Sequence, residues 1–159
     1  MIQNFGTFTY HHAQRDRFKS GGLWKTWAQC YPQIFDEDDL RIVPNQAPAG
    51  YHFYEWLSAV LLYESFGYLS LVEKYCFKNH AHKREILLKL MPLDLSEKMS
   101  KIPGSAQTPD LLVYALDYSD WFFCEVKGPR DRLRTVQEQY FAELESTFGK
   151  PVRLIKFRD

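Results

Sequence analysis

The last third of the chain leaves little freedom for its fold. An apolar run from Leu111 to Leu116 follows Pro109, and a second from Trp121 to Lys127 follows the turn residues Asp117-Tyr118-Ser119-Asp120. Runs this short and this apolar, joined by so tight a polar turn, predict an antiparallel hairpin of buried strands. Gly128-Pro129 then breaks the chain. Asp131 is placed to cap a helix reaching about Phe148, Gly149 and Pro151 end it, and Val152 to Phe157 supplies a third strand. A hairpin, a helix and a strand in that order predict an α/β fold, a mixed β-sheet with helices packed on it.

Upstream the pattern is weaker. Leu57, Val60 and Leu61 recur at helical spacing between Tyr54 and Phe66, and Gly67 is a natural C-cap. Residues 68–91 read as mostly helical. Residues 1–50 are aromatic but aperiodic, with Gly21-Gly22 and a loop from Pro44 to Gly50. The expected organisation is an N-terminal extension of uncertain structure over 1–50 and a core over 51–159. Asp36-Glu37-Asp38-Asp39 reads as a solvated helix start rather than a cation loop, because adjacent acids point in different directions. His80 and His82 have the wrong spacing for two ligands on one helical face and read as surface residues.

Composition narrows the function. A chain of 159 residues with 45% hydrophobic content can bury a single core, which excludes a disordered linker. No apolar run is long enough for a membrane span, and the first residues carry no basic, apolar leader, so a cytoplasmic protein is expected. Cys30, Cys76 and Cys124 are too few and too scattered for a disulfide frame and read as reduced thiols. Net charge is zero, so no global basic field advertises a nucleic-acid partner. The charges are nevertheless segregated: Asp36 to Glu73 holds seven acids against Arg41, and Lys74 to Lys101 holds seven bases against Glu85, Asp94 and Glu97. That pattern suits an acidic pocket beside basic flanks, or two solvated faces.

The hairpin also carries chemistry. Phe123, Glu125 and Lys127 share one face of the second strand, setting a carboxylate and an ammonium side by side. Antiparallel pairing brings Asp110, at the start of the first strand, near Glu125. Two converging carboxylates repel unless a divalent cation sits between them, and oxygen ligands, with the Val126 carbonyl as a further one, suit Mg²⁺ or Mn²⁺. Lys127 could then orient a water or stabilise charge at phosphorus. The alternative is an exposed Glu–Lys pair contributing little. Gln137 falls among Leu133, Val136, Tyr140, Phe141 and Leu144, the expected buried stripe of the helix, and a buried amide needs polar partners. A polar site on the sheet would supply them, as would an ordinary satisfied core.

The string Thr108-Pro109-Asp110-Leu111-Leu112-Val113-Tyr114, then Phe123-Cys124-Glu125-Val126-Lys127-Gly128-Pro129-Arg130-Asp131-Arg132-Leu133, then Gln137, resembles the VRR-NUC domain, a branch of the PD-(D/E)xK nuclease superfamily. The resemblance is firm over about 108–157 and looser over 50–70. It implies a restriction-endonuclease-like core over 51–159. It further implies Asp110 and Glu125 as ligands of Mg²⁺ or Mn²⁺, Lys127 as the catalytic lysine and Gln137 as the glutamine of the following helix. The family also places a glutamate on its first core helix. Glu55 suits that role best, with Glu64 as runner-up. Arg134 and Tyr140 depart from the residues usual at their positions. The implied activity is structure-selective cleavage of branched DNA, of Holliday-junction or flap type, by a homodimer, nucleoid-associated if the source is bacterial. Arg130, Arg132 and Arg134 would contact DNA phosphates. A restriction-type nuclease and an inert DNA-binding protein on the same core are the alternatives.

Overall fold

The structure, a computed structural model, describes residues 2–91 and 93–159. Its centre is a mixed sheet of β1 (Gln3–Thr9), β2 (Leu69–Val72), β3 (Leu111–Tyr114), β4 (Trp121–Lys127) and β5 (Arg153–Arg158). The strand order is β1-β5-β4-β3-β2. The β2/β3 and β3/β4 pairs are antiparallel, whereas β5 runs parallel to both β4 and β1. Helices α1 (His12–Lys19), α2 (Gly22–Cys30), α3 (Glu37–Gln46), α4 (Phe53–Phe66), α5 (Ala81–Leu90), α6 (Leu95–Ser100) and α7 (Thr135–Phe148) complete the chain.

β4 is apolar almost throughout because it lies inside the sheet with both faces covered. α7 covers the face of Phe123 and Glu125: Phe148 sits 5.7 Å from the Phe123 ring, and Gln137 reaches Glu125. α4 covers the other face, its Tyr54 ring 5.4 Å from Phe157 of β5. Gly67, at φ 73°, closes α4 in the left-handed region, and Gly149, at φ 70°, does the same for α7.

Several expectations are corrected. Residues 69–72 form a strand, since so short a buried apolar run has no periodicity to separate strand from helix. Pro44 lies inside α3, and Ala47–Ala49 form a 3₁₀ turn, so the stretch to Gly50 is not a loop. α7 starts at Thr135 rather than near Asp131, whose carboxylate instead accepts the Gly128 N–H at 3.1 Å. The hairpin's first strand ends at Tyr114, and the turn takes the following two residues. Val136 is 42% exposed and leaves the expected stripe, while Gln137, Tyr140, Phe141 and Leu144 are buried. Residues 3–50 supply strand β1, three helices and core side chains including Phe18, Leu23, Trp27 and Val43. The three cysteines are free, Cys124 being buried and Cys30 exposed. Among the described residues no helix is long and apolar enough to cross a membrane.

Candidate metal centre

Strand register builds the site. Val72 pairs with Leu111, and Leu111 pairs with Cys124. One step beyond these pairs stand Glu73, just past β2, Asp110, just before β3, and Glu125, inside β4 near its end. The backbone N–H of Glu73 donates to the Asp110 carbonyl at 2.9 Å, and that of Asp110 donates to Glu125 Oε2 at 3.3 Å. Asp110 Oδ2 accepts the Val126 N–H at 2.9 Å. The two acids therefore converge, as the hairpin predicts.

Lys127 Nζ lies 2.8 Å from Glu125 Oε1 and donates to Gln137 Oε1 at 3.3 Å. Gln137 Nε2 donates to Glu125 Oε1 at 3.0 Å, and its Oε1 also accepts the Arg134 N–H at 3.1 Å, capping α7. The buried amide is thus satisfied entirely by the site and by the helix start beside it. It fixes both members of the Glu125–Lys127 pair, which is not the exposed pair of the alternative reading: Glu125 is only 2% exposed.

α4 begins at the same end of the sheet, and its first turn brings in Glu55. His52 Nδ1 lies 3.8 Å from Glu55 Oε2 and 3.3 Å from Glu73 Oε1. Glu64 is exposed at the far end of α4, where it takes the Tyr31 hydroxyl, so of the two helical carboxylates Glu55 is the one in the cluster. Val126 contributes its N–H from between Glu125 and Lys127. Arg130 and Arg132 are exposed on the segment leaving β4. The exposed Arg134 guanidinium donates to Gln107 Oε1 at 2.6 Å.

Burial and mutual repulsion raise three of these carboxyls. Burial pushes Glu55 up to about 7, and the charges of Glu73 and Glu125 add to this while His52 opposes it. Asp110 is raised well above the carboxylate range by burial, then by Glu125, Glu55 and Glu73. Glu125 is raised by burial against the pull of Lys127. His52 is raised chiefly by its hydrogen bond to Glu73, against burial. Such a cluster stores repulsion that a divalent cation relieves. Asp110, Glu125 and Glu55 offer oxygens alone, the donor set of Mg²⁺ or Mn²⁺.

Glu73, His52 and Lys83 escaped the sequence reading. Glu73 is marked only by following β2, a segment whose sequence reads as helix. His52 precedes α4 with φ 63°, and Glu73 and Lys74 follow β2 at φ 55° and 54°, backbone that side chains other than glycine seldom adopt. Lys83 is buried and donates to the carbonyls of Val72 at 2.5 Å and Glu73 at 3.1 Å, and to Asp39 Oδ1 at 2.9 Å. It ties the turn that carries Glu73 to α3 and α5. Asp36 caps α3 as expected, but Asp39 is buried, and burial pushes its carboxyl up to about 6 despite Lys83. His80, expected on the surface, is buried, with Nδ1 3.5 Å from Asp38 Oδ2, whereas His82 is exposed.

No protein-family model, curated protein or solved structure matches the chain.

Proposed function

We propose that the protein is a metal-dependent endonuclease acting on branched DNA, with a restriction-endonuclease-like core of the VRR-NUC type. The observation that carries this reading is the convergence of Asp110 and Glu125 at paired strand ends, with Lys127 held on Glu125 and both fixed by Gln137. The mixed sheet flanked by helices is consistent with it.

In this reading Asp110, Glu125 and Glu55, with the Val126 carbonyl, hold Mg²⁺ or Mn²⁺. Bound there, such a cation would supply charge neutralisation of these acids and Lewis-acid polarisation of a phosphodiester. Lys127 supplies the remaining positive charge. Its ammonium, anchored through Glu125 and Gln137, orients a water in line with the leaving oxygen and stabilises charge developing on the phosphate. Gln137 acts on the lysine rather than on the substrate. The exposed Arg130 and Arg132 bind neighbouring phosphates and position the backbone without reading sequence. One centre per chain cuts one strand, so symmetric resolution of a four-way junction takes a homodimer.

A panel of end-labelled flap, fork, four-way and linear duplex DNA, incubated with Mg²⁺, with Mn²⁺ or with chelator, tests the proposal. The expected result is cation-dependent cutting of one or more branched forms and little cutting of linear duplex. Equal cutting of linear duplex would point to a restriction-type enzyme. Intact DNA throughout, with junction binding retained, would point to an inert binding protein.

A further inference from the structure

We infer that His52, Glu55 and Glu73 form a second divalent-cation position beside the Asp110–Glu125 position, one that takes a first-row transition ion such as Mn²⁺ in preference to Mg²⁺. The inference rests on the cation reading of Asp110 and Glu125 and extends it.

One ligand atom from each of the three residues lies within 4.8 Å of the other two. The separations of His52 Nδ1 from Glu73 Oε1, 3.3 Å, and from Glu55 Oε2, 3.8 Å, are close to the spacing of about 3–3.5 Å between neighbouring ligands that each sit roughly 2.1 Å from one ion. Little movement is needed to close them on a cation. Glu55 is 18% exposed, its carboxylate is bonded by its own backbone N–H, and His52 stands off at 3.8 Å, so the side chain sits at the cluster without being locked to a neighbouring side chain.

Charge points the same way. Ionised, as ligands of a cation must be, Glu55, Glu73, Asp110 and Glu125 bring four negative charges into the centre, against the one positive charge of Lys127 on Glu125. With one divalent ion this core remains net negative by one and repels a phosphodiester. With two it becomes net positive by one, matching the single negative charge of the substrate. Glu55, common to both ligand sets, is then the carboxylate shared between the two positions.

The donor set decides the ion. An imidazole nitrogen among carboxylates raises affinity for Mn²⁺ and later divalent metals over Mg²⁺, which holds its waters and prefers oxygen. The position is also built rather than incidental. Lys83 holds the Glu73 carbonyl from inside the core, and the Glu73 N–H is bonded to the Asp110 carbonyl, so the carboxylate projects from a turn fixed on both sides.

Titration of metal-free protein with Mn²⁺, read by calorimetry and by the electron paramagnetic resonance of free Mn²⁺, tests the inference. Wild type is expected to bind two Mn²⁺ per chain. Glu73→Gln and His52→Ala are each expected to bind one, with the lost ion weakened at least tenfold, while Asp110→Asn loses the other position and keeps a His52-dependent one. Circular dichroism and thermal melts establish that each variant is folded, and the near-isosteric Glu73→Gln serves if His52→Ala is not. Two ions retained in both His52 and Glu73 variants, or a single ion in wild type that only Asp110→Asn removes, overturns the second position and leaves the proposed nuclease reading standing. No Mn²⁺ bound by wild type overturns both.

Discussion

Replacing Glu55 with Gln is expected to make the metal-free protein more stable at alkaline pH while removing the proposed nuclease activity. The carboxyl of Glu55 moves from an ordinary value of 4.5 to about 7 on folding, mainly through burial. A raised folded value means that the native state binds more protons than the unfolded chain between those limits. Its contribution to stability is therefore fully present below about pH 4.5 and is lost as pH rises through about 7. At one pKa unit per 1.36 kcal/mol, ionised Glu55 costs the folded protein about 3 kcal/mol at pH 8. The isosteric amide removes that cost. For a domain of this size the gain corresponds to an increase in Tm of roughly 6–12 °C. The assay is thermal and urea denaturation in chelator at pH 5 and pH 8, repeated with saturating Mn²⁺. Glu55→Gln is expected to exceed wild type by about 3 kcal/mol at pH 8, to exceed it by no more than about 1 kcal/mol near pH 5, and to gain less than wild type from Mn²⁺. A variant no more stable than wild type at pH 8, or equally stabilised at both pH values, would refute the argument that this carboxylate is held under electrostatic strain.

Other perturbations probe the supports of the centre. Lys83→Met breaks a buried pair and strands Asp39, so a loss of about 3–5 kcal/mol is expected in urea denaturation, with Asp39→Asn in the same chain restoring part of it. Gln137→Leu keeps the buried volume but frees Lys127 and Glu125. Its cleavage rate is expected to fall by about 10–100-fold, with DNA affinity little changed in a binding assay.

The parts of the fold legible in the sequence are those with local signals. The hairpin follows from two apolar runs around a polar turn, and the ends of α4 and α7 follow from Gly67 and Gly149. Asp110, Glu125, Lys127 and Gln137 could be placed together because strand alternation and helix spacing are short-range rules. What was missed depends on pairing across long separations. β1 joins β5 from the opposite end of the chain, and nothing local in Gln3–Thr9 announces a parallel neighbour. β2 is four residues long and fully buried, so it has neither period nor alternation. With β2 unread, Glu73 could not be placed beside Asp110, nor His52 beside Glu73. Lys83 reads as an ordinary surface lysine on a helix, because only the folded chain shows the carbonyls that draw its ammonium inside. The residues so concealed line or support the candidate centre, where backbone strain and buried charge override local preference.

The central claim is that Asp110 and Lys127 perform phosphodiester hydrolysis rather than maintain the fold. Single-turnover cleavage of a preformed branched DNA by wild type, Asp110→Asn and Lys127→Met, with binding measured in parallel in Ca²⁺, tests it most directly. The account predicts rates at least about a thousandfold below wild type in both variants, with DNA affinity within a few-fold. Cleavage by either variant at the wild-type rate would contradict it.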